Sequence, residues 1–319
     1  MTDWRPSSGP QAAARRAALL QRLRARFAHC GVLEVDTPAL STAAVSDVQI
    51  ESLEIGRSQV SRIPLYLHTS PEFTMKRLLA AGYPDIYSIC RVFRDGEAGR
   101  RHQPEFTMIE WYRLDMELAD IVHDTIKLID TALADAAPNA APLTCDYRDL
   151  FLDSIGIDPL ETDLNELAAL GDDEQRSAVG DELDDWLDWL FATRIAPQLA
   201  KDRLTVVSHY PASQAALARL CPDDARVADR FEVFLGDVEL ANGYVELTDG
   251  VEQRRRIGAD NLERQRRGRK LRPVDEALLA ALEDGLPACA GVAMGLERLQ
   301  MVMDNTDDIR DVITFAFPS

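Results

Sequence analysis

Ile86-Tyr87-Ser88-Ile89-Cys90-Arg91-Val92-Phe93-Arg94 and Glu105-Phe106-Thr107-Met108-Ile109-Glu110-Trp111-Tyr112-Arg113 are two runs rich in aromatic and β-branched residues, and how they are joined decides the fold class. A polar, glycine-containing loop links them, longer than a tight hairpin needs, and such loops on a sheet scaffold are often functional. A second strand pair reads over 231–247, turning near Gly236-Asp237. Helical patterns fall in groups between these pairs. Paired strands with grouped helices predict an α+β fold on an antiparallel sheet flanked by helices, not a doubly wound parallel sheet.

Working outward, residues 11–30 read as a long helix, alanine- and leucine-rich and stopped by Gly31. A short strand at 32–38 closes on Pro38, and further short strands read at 50–55 and 65–68. A helix follows at 71–81 with Pro71 in its first turn, and an amphipathic helix at 117–136. Residues 146–200 read as a helical, acidic insertion within one domain spanning 1–319; Trp186, Trp189, Leu190 and Ile195 form an apolar stripe that suits a core. A strand is expected at 203–208, helices at 251–267 and 274–283, and then strand (289–294), helix (296–303) and strand (312–317).

An apolar fraction of 46% and a charged fraction of 28% over 319 residues describe an ordinary globular chain. No apolar run approaches membrane-spanning length and residues 1–10 hold no signal core, so a cytoplasmic location with no membrane partner is expected. The five cysteines are scattered without paired spacing and read as reduced thiols, not as a disulfide framework or zinc site. A formal charge of −19 argues mildly against a nucleic-acid partner. Acid concentrates between Asp158 and Asp188, and a basic stretch runs from Arg254 to Arg272. Each suits a solvated helix face; a docking patch for an acidic partner is the sharper reading of the second.

Three segments carry candidate chemistry. Strand alternation places Glu110 and Tyr112 on one face with Phe106 and Met108, as suits either recognition of a cationic group or a solvent-facing polar pair. Arg94 ends the preceding strand, and Arg100, Arg101 and His102 lie in the loop, a set of cations that a triphosphate requires. In Phe231-Glu232-Val233-Phe234-Leu235-Gly236-Asp237-Val238-Glu239-Leu240-Ala241-Asn242-Gly243-Tyr244-Val245-Glu246, three glutamates recur in apolar strand surroundings, which is costly without a neutralising magnesium ion or ammonium group. Glu239 and Glu246 have opposite parity, and a bulge at Asn242-Gly243 is expected to bring them to one face. Finally, Gly291-Val292-Ala293-Met294-Gly295-Leu296-Glu297-Arg298 runs a glycine-punctuated strand into a helix with arginine in its first turn, which favours an anion as well as simple packing or capping.

The arginine-ended strand with its loop, and the Gly-x-x-x-Gly-x-x-Arg ending, resemble motifs 2 and 3 of class II aminoacyl-tRNA synthetases; the first helix and the strand ending at Pro38 resemble motif 1. Thr69-Ser70-Pro71-Glu72, Val92-Phe93-Arg94, the run from Pro104 to Tyr112 and Glu239-Leu240-Ala241-Asn242-Gly243 narrow the likeness to the lysine subgroup. Motif 1 begins almost at the first residue, with no preceding anticodon-binding barrel, and Tyr210-Pro211-Ala212-Ser213-Gln214 lies near the middle. In both respects the chain is similar to the elongation factor P lysyl-lysine ligase family.

The resemblance implies ATP as substrate with Mg2+, lysine or β-lysine as the activated amino acid, elongation factor P as acceptor, no tRNA, and a homodimer built on motif 1. Residue by residue, it implies catalytic roles for Arg94 and Arg298 on the ATP phosphates, with Asp95, Gly96, His102, Gln103, Glu239, Leu240 and Gly295 also lining the nucleotide site. Glu232 and Glu239 would hold the metal. Glu246 and Tyr112 would receive the distant ammonium, Glu72 the other amino group and Asn242 the carboxylate, with Ser70, Pro71, Glu110 and Ala293 completing the pocket. The pattern departs at Gly96, where relatives usually have a glutamate that reads adenine; Glu97 follows and could substitute. Ala293 stands where the tRNA-charging lysine enzymes tend to have glycine. A minimal lysyl-tRNA synthetase, another amide-forming relative and a catalytically dead regulatory paralogue are the competing readings. Joint retention of Arg94, Glu232, Glu239, Glu246 and Arg298 argues against the last.

Overall fold

A computed structural model describes residues 4–317. Its strands are β1 (Leu33–Glu34), β2 (Leu40–Ser41), β3 (Glu54–Ile55), β4 (Leu65–Leu67), β5 (Ile86–Phe93), β6 (Glu105–Leu114), β7 (Leu143–Asp146), β8 (Leu204–Ser208), β9 (Arg230–Leu235), β10 (Val238–Val245) and β11 (Cys289–Gly295). Its helices are α1 (Pro10–His29), α2 (Glu72–Ala80), α3 (Leu118–Leu133), α4 (Tyr147–Ile155), α5 (Leu164–Ala168), α6 (Asp173–Val179), α7 (Leu183–Leu190), α8 (Gly250–Arg266), α9 (Glu276–Gly285) and α10 (Leu296–Met303). An eight-stranded sheet in the order β1-β5-β6-β11-β10-β9-β8-β7 forms the centre, and β2-β4-β3 make a small separate sheet. The central pairings are antiparallel, as expected; only the edge pairs β1–β5 and β7–β8 are parallel. This is an α+β fold.

One face of the sheet is sealed. Leu19, Leu23 and Phe27 of α1, Ile121, Leu128 and Ile129 of α3, and Leu296 and Leu299 of α10 pack on Ile109, Trp111, Phe231, Val233, Ala241 and Val292. On the opposite face, helices cover the two flanks. Met75 and Leu79 of α2 and Leu278 and Leu279 of α9 cover Ile86, Tyr112 and Cys289. Phe151 of α4 and Trp186, Leu187 and Leu190 of α7 cover Val207 and Phe234. Between these two flanks, β6, β10 and β9 present the polar side chains Glu110, Tyr112, Asn242, Tyr244, Arg230 and Glu232, and β11 between them presents only the small Ala293 and Gly291.

The expected single helical stretch at 146–199 is a series of short helices. Its acid has a local use: Asp163 and Asp172 cap α5 and α6 by accepting from the backbone N–H of Glu166 and Gln175. The strand expected at 312–317 does not form. A 3-10 turn, Ile309–Asp311, precedes that segment, and its backbone bonds to Ser7 and Gln103 instead of a sheet edge. The strand expected at 50–55 is reduced to Glu54–Ile55.

Candidate active site

Strand register sets the site. Ser88, Glu110, Ala293, Asn242 and Glu232 form one row across β5, β6, β11, β10 and β9, and Ile86, Tyr112, Gly291, Tyr244 and Arg230 form the next. The sheet bulges between Glu239 and Ala241, so Leu240 and Ala241 both enter the core and Glu239 joins Asn242, Tyr244 and Glu246 on the open face. The bulge was expected at Asn242-Gly243 and lies instead just before it, between Glu239 and Ala241. Gly243 has a different reason: a Cβ there would stand 2.8 Å from both Phe231 and Val292 on the core side.

At the β6 end the pocket is acidic and buried. Ser70 Oγ donates to Glu110 Oε2 at 2.6 Å, and the Tyr112 hydroxyl donates to Glu110 Oε1 at 2.7 Å. Ser70 also accepts from the Glu72 N–H at 3.0 Å, which fixes the start of α2 just after Pro71. Glu72 accepts from the Tyr244 hydroxyl and from Lys76 Nζ, each at 2.7 Å. Lys76 Nζ lies 2.6 Å from Glu246 as well, yet neither Glu246 oxygen receives a well-directed hydrogen bond. Such a buried carboxylate retains capacity for a second cation.

Burial pushes Glu246 up to about 8, with Lys76 pulling it down and Glu72 pushing it further up. Burial and then Glu72 push Glu110 up to about 7, against the hydrogen bonds from Ser70 and Tyr112. Burial opposes the charge on Lys76, but Glu246 and Glu72 outweigh it and raise its pKa. With every group ionised, Glu72, Glu110, Glu246 and Lys76 carry three negative charges and one positive, a net of about −2; burial and this mutual repulsion favour the protonated forms of Glu110 and Glu246.

Gly291 is what makes room here. A Cβ at this position would stand 2.3 Å from Glu246 Oε1 and 2.5 Å from Tyr112 Cε1, and neither is a surface side chain that can swing away. Gly291→Ala should therefore cost about 1–3 kcal/mol of stability through overpacking and displace the Glu246 carboxylate. Thermal unfolding and substrate titration check both effects; an unchanged melting temperature with unchanged KM contradicts this geometry.

Toward β10 and α10 the site becomes cationic. Arg298 donates to Glu239 Oε2 at 3.0 Å and lies 2.7 Å from His102 Nε2, joining the β5–β6 loop to the α10 N-terminus. Arg298 holds Glu239 below the usual carboxylate range despite burial. Arg94 lies over the Phe106 ring, its Nε buried without a partner and its Nη1 3.6 Å from Glu97. Glu232 is bonded by Arg230 at 2.6 Å and by the Tyr210 hydroxyl at 2.8 Å; burial raises its pKa, Arg230 opposes, and Glu239 adds to the rise. Asn242 accepts from Arg230 at 3.3 Å. Glu232 and Glu239 are mutually repelling carboxylates with the hard oxygen donors that magnesium takes; Arg230 and Tyr210 bond the two oxygens of Glu232, and Arg298 bonds one oxygen of Glu239.

Not every candidate offers a side chain to this site. Leu240 is in the core, so only its backbone can face a nucleotide. The Gln103 amide is spent: its oxygen accepts from the Phe317 N–H at 2.7 Å and its nitrogen donates to the His102 carbonyl. Gly96 adopts φ +80°, a left-handed turn that disfavours the glutamate expected there, while Asp95 is exposed. Gly295, before α10, has nothing within 4 Å of where a Cβ would stand.

The tRNA synthetases class II (D, K and N) family model matches residues 1–319. The chain is 43% identical to the elongation factor P--(R)-beta-lysine ligase of Sodalis glossinidius, over 98% of this chain and 97% of that one. It is 42% identical to the enzymes of the same name from Edwardsiella ictaluri and Pectobacterium atrosepticum, in each case over 99% of this chain and 98% of the relative. The chain belongs to the class II tRNA synthetase family, in its elongation factor P--(R)-beta-lysine ligase branch. Within that branch, four residues of this site escaped the sequence reading: Lys76, Tyr210, Arg230 and Tyr244. Two had a usable signal, since Lys76 lies one helical turn after Glu72, and Tyr244 shares strand parity with Asn242 and Glu246.

The basic stretch from Arg254 to Arg272 is largely paired within the chain. Arg254 meets Glu276; Arg255 and Arg256 meet Glu252; Arg264 and Arg272 meet Glu51; Arg266 and Arg267 meet Glu263. It is a face of matched charge, and this argues against the docking patch expected there. Among the described residues, no helix is long and apolar enough to cross a membrane.

Proposed function

We propose that this chain uses ATP to activate (R)-β-lysine, or lysine, and transfers it to a lysine side chain of elongation factor P, with release of pyrophosphate and then AMP. The observation that carries the reading is the buried Glu72–Lys76–Glu246–Glu110 cluster, whose net charge of about −2 when ionised complements the two ammonium groups of a diamino acid. The relatives' shared name supports the same substrate and acceptor.

Arg94 and Arg298 would bind the triphosphate and stabilise the charge that builds as the substrate carboxylate attacks the α-phosphorus. Glu232 and Glu239 would hold Mg2+, which supplies further neutralisation of the phosphates. Asn242, in register between Glu232 and Ala293, would orient the carboxylate. The acceptor amine, once deprotonated, attacks the acyl carbon; an amide forms and AMP leaves. The acceptor need only present one lysine on an exposed loop, so no tRNA is required, and motif 1 at α1 would build a homodimer.

Pyrophosphate exchange with α- and β-lysine tests the first half of this reaction: exchange dependent on a diamino acid supports it, and exchange with neither isomer refutes it. Ala293 lies in register between Glu110 and Asn242, and its methyl group would border the reacting end of the substrate. Ala293→Gly should shift the α/β preference by about 1–3 kcal/mol, read as the ratio of kcat/KM values. An identical ratio in the variant makes Ala293 a packing residue only.

A further inference from the structure

Next to the proposed active site, where the chain enters β9, three extended segments run side by side. His209 bonds through its N–H to the Arg230 carbonyl at 3.0 Å, Asp229 to the Arg219 carbonyl at 3.1 Å, and Cys221 to the Val227 carbonyl at 2.9 Å. This brings a ring nitrogen of His209, Cys221 Sγ and a carboxylate oxygen of Asp229 within 4.8 Å of one another. The cysteines lack metal-ligand spacing in sequence; the fold supplies the other two donors.

Three further features belong to a built site. His209 Nδ1 lies 2.7 Å from Asp146 Oδ1, which commits that nitrogen's hydrogen and leaves the lone pair on Nε2. A carboxylate behind a histidine is the usual arrangement that fixes tautomer and basicity in a metal ligand. His209 is held at φ +57°, a left-handed conformation uncommon for a residue with a side chain and paid for by its surroundings. Asp229 is 4% exposed, and Arg219 Nε takes its Oδ2 at 2.7 Å, leaving Oδ1 available.

We infer that His209, Cys221 and Asp229 bind a divalent transition metal of the zinc type. Imidazole, thiolate and carboxylate are a borderline-soft donor set, which selects zinc or cobalt over magnesium. The thiol proton is lost on binding, and thiolate plus carboxylate balance the ion's charge. Ligand atoms around tetrahedral zinc stand roughly 3–4 Å apart, so the cluster closes by a movement of about 1 Å, within reach of Cys221 on its half-exposed turn. The metal would clamp 209–211 and 218–221 onto the segment that enters β9. Arg230 follows Asp229 there and holds Glu232 and Asn242.

Titration of the reduced, full-length chain with Co2+ tests the site. The expected result is one equivalent bound with a near-ultraviolet thiolate-to-cobalt band, displaced by Zn2+, and Zn2+ should raise the melting temperature. Cys221→Ser should abolish the band and the Zn2+-dependent rise. Asp146→Asn should weaken binding about 10- to 100-fold while keeping the band. His209→Asn, which tolerates the left-handed backbone, should weaken binding at least as much. A wild-type chain without the band, or a band that survives Cys221→Ser, overturns the inference.

Discussion

Glu246→Gln should lower kcat/KM for the diamino substrate about 30- to 1000-fold and leave ATP binding nearly unchanged. The substitution preserves shape and removes one of the three carboxylates of the buried pocket, and a charge-assisted contact in a dry pocket contributes about 2–4 kcal/mol. Lys76 keeps its bond to Glu72, so the pocket is not left with an unpaired buried ammonium. The same chemistry fixes the pH dependence. Glu246 and Glu110 stand near 8 and 7 in the free chain, above the ordinary carboxylate range, so both are partly protonated near neutrality. Two incoming ammonium groups favour the ionised forms and lower those values. Binding should therefore release protons below about pH 8, most fully below about pH 7, and tighten as pH rises until both carboxylates are ionised in the free chain. Calorimetry in two buffers of different ionisation enthalpy measures the release, which should shrink in Glu246→Gln. Proton uptake in place of release contradicts this electrostatic account.

Arg298→Ala should reduce pyrophosphate exchange about 100- to 1000-fold, the loss typical for removing one preorganised group from a developing negative charge. Arg298 is tied at one side to Glu239 and at the other to His102, so its position is set before any nucleotide arrives. Its loss also leaves Glu239 without its main cation, which weakens phosphate binding through repulsion. Single-turnover measurement of adenylate formation separates the two effects: the chemical step should slow by more than the substrate affinity falls. An effect on KM for ATP alone, with kcat retained, would place Arg298 in ground-state binding only.

The sheet and most of its helices were legible because periodicity and glycine placement follow directly from backbone geometry. Glu110 and Tyr112 were put on one face by alternation, and the register across β6 and β11 does so in the fold. The position of the bulge was not legible. Asn242-Gly243 carries the usual glycine signal, but that glycine answers to Phe231 and Val292 across the core, and the chain bulges just before it. The segment at 312–317 has strand-like residues, yet its partners lie at Ser7 and Gln103, far away in sequence. Lys76 illustrates the same limit at the site. A lysine on a helix ordinarily reads as solvated, and only the tertiary placement of Glu72 and Glu246 makes it a buried ion-pair centre. The charge of the Arg254–Arg272 stretch was plain in the sequence, and Glu252 and Glu263 stand three and four residues before their arginines on a helix; the pairing with Glu51 and Glu276 required the fold.

The most direct test of the proposed reaction supplies the purified chain with ATP, Mg2+, (R)-β-lysine and either elongation factor P or tRNA-Lys, and follows acceptor mass and AMP release. The expected result is elongation factor P heavier by one β-lysyl group on a lysine side chain, stoichiometric AMP, and no charging of the tRNA. Efficient charging of tRNA-Lys with no transfer to elongation factor P would contradict it and identify the chain as a minimal lysyl-tRNA synthetase.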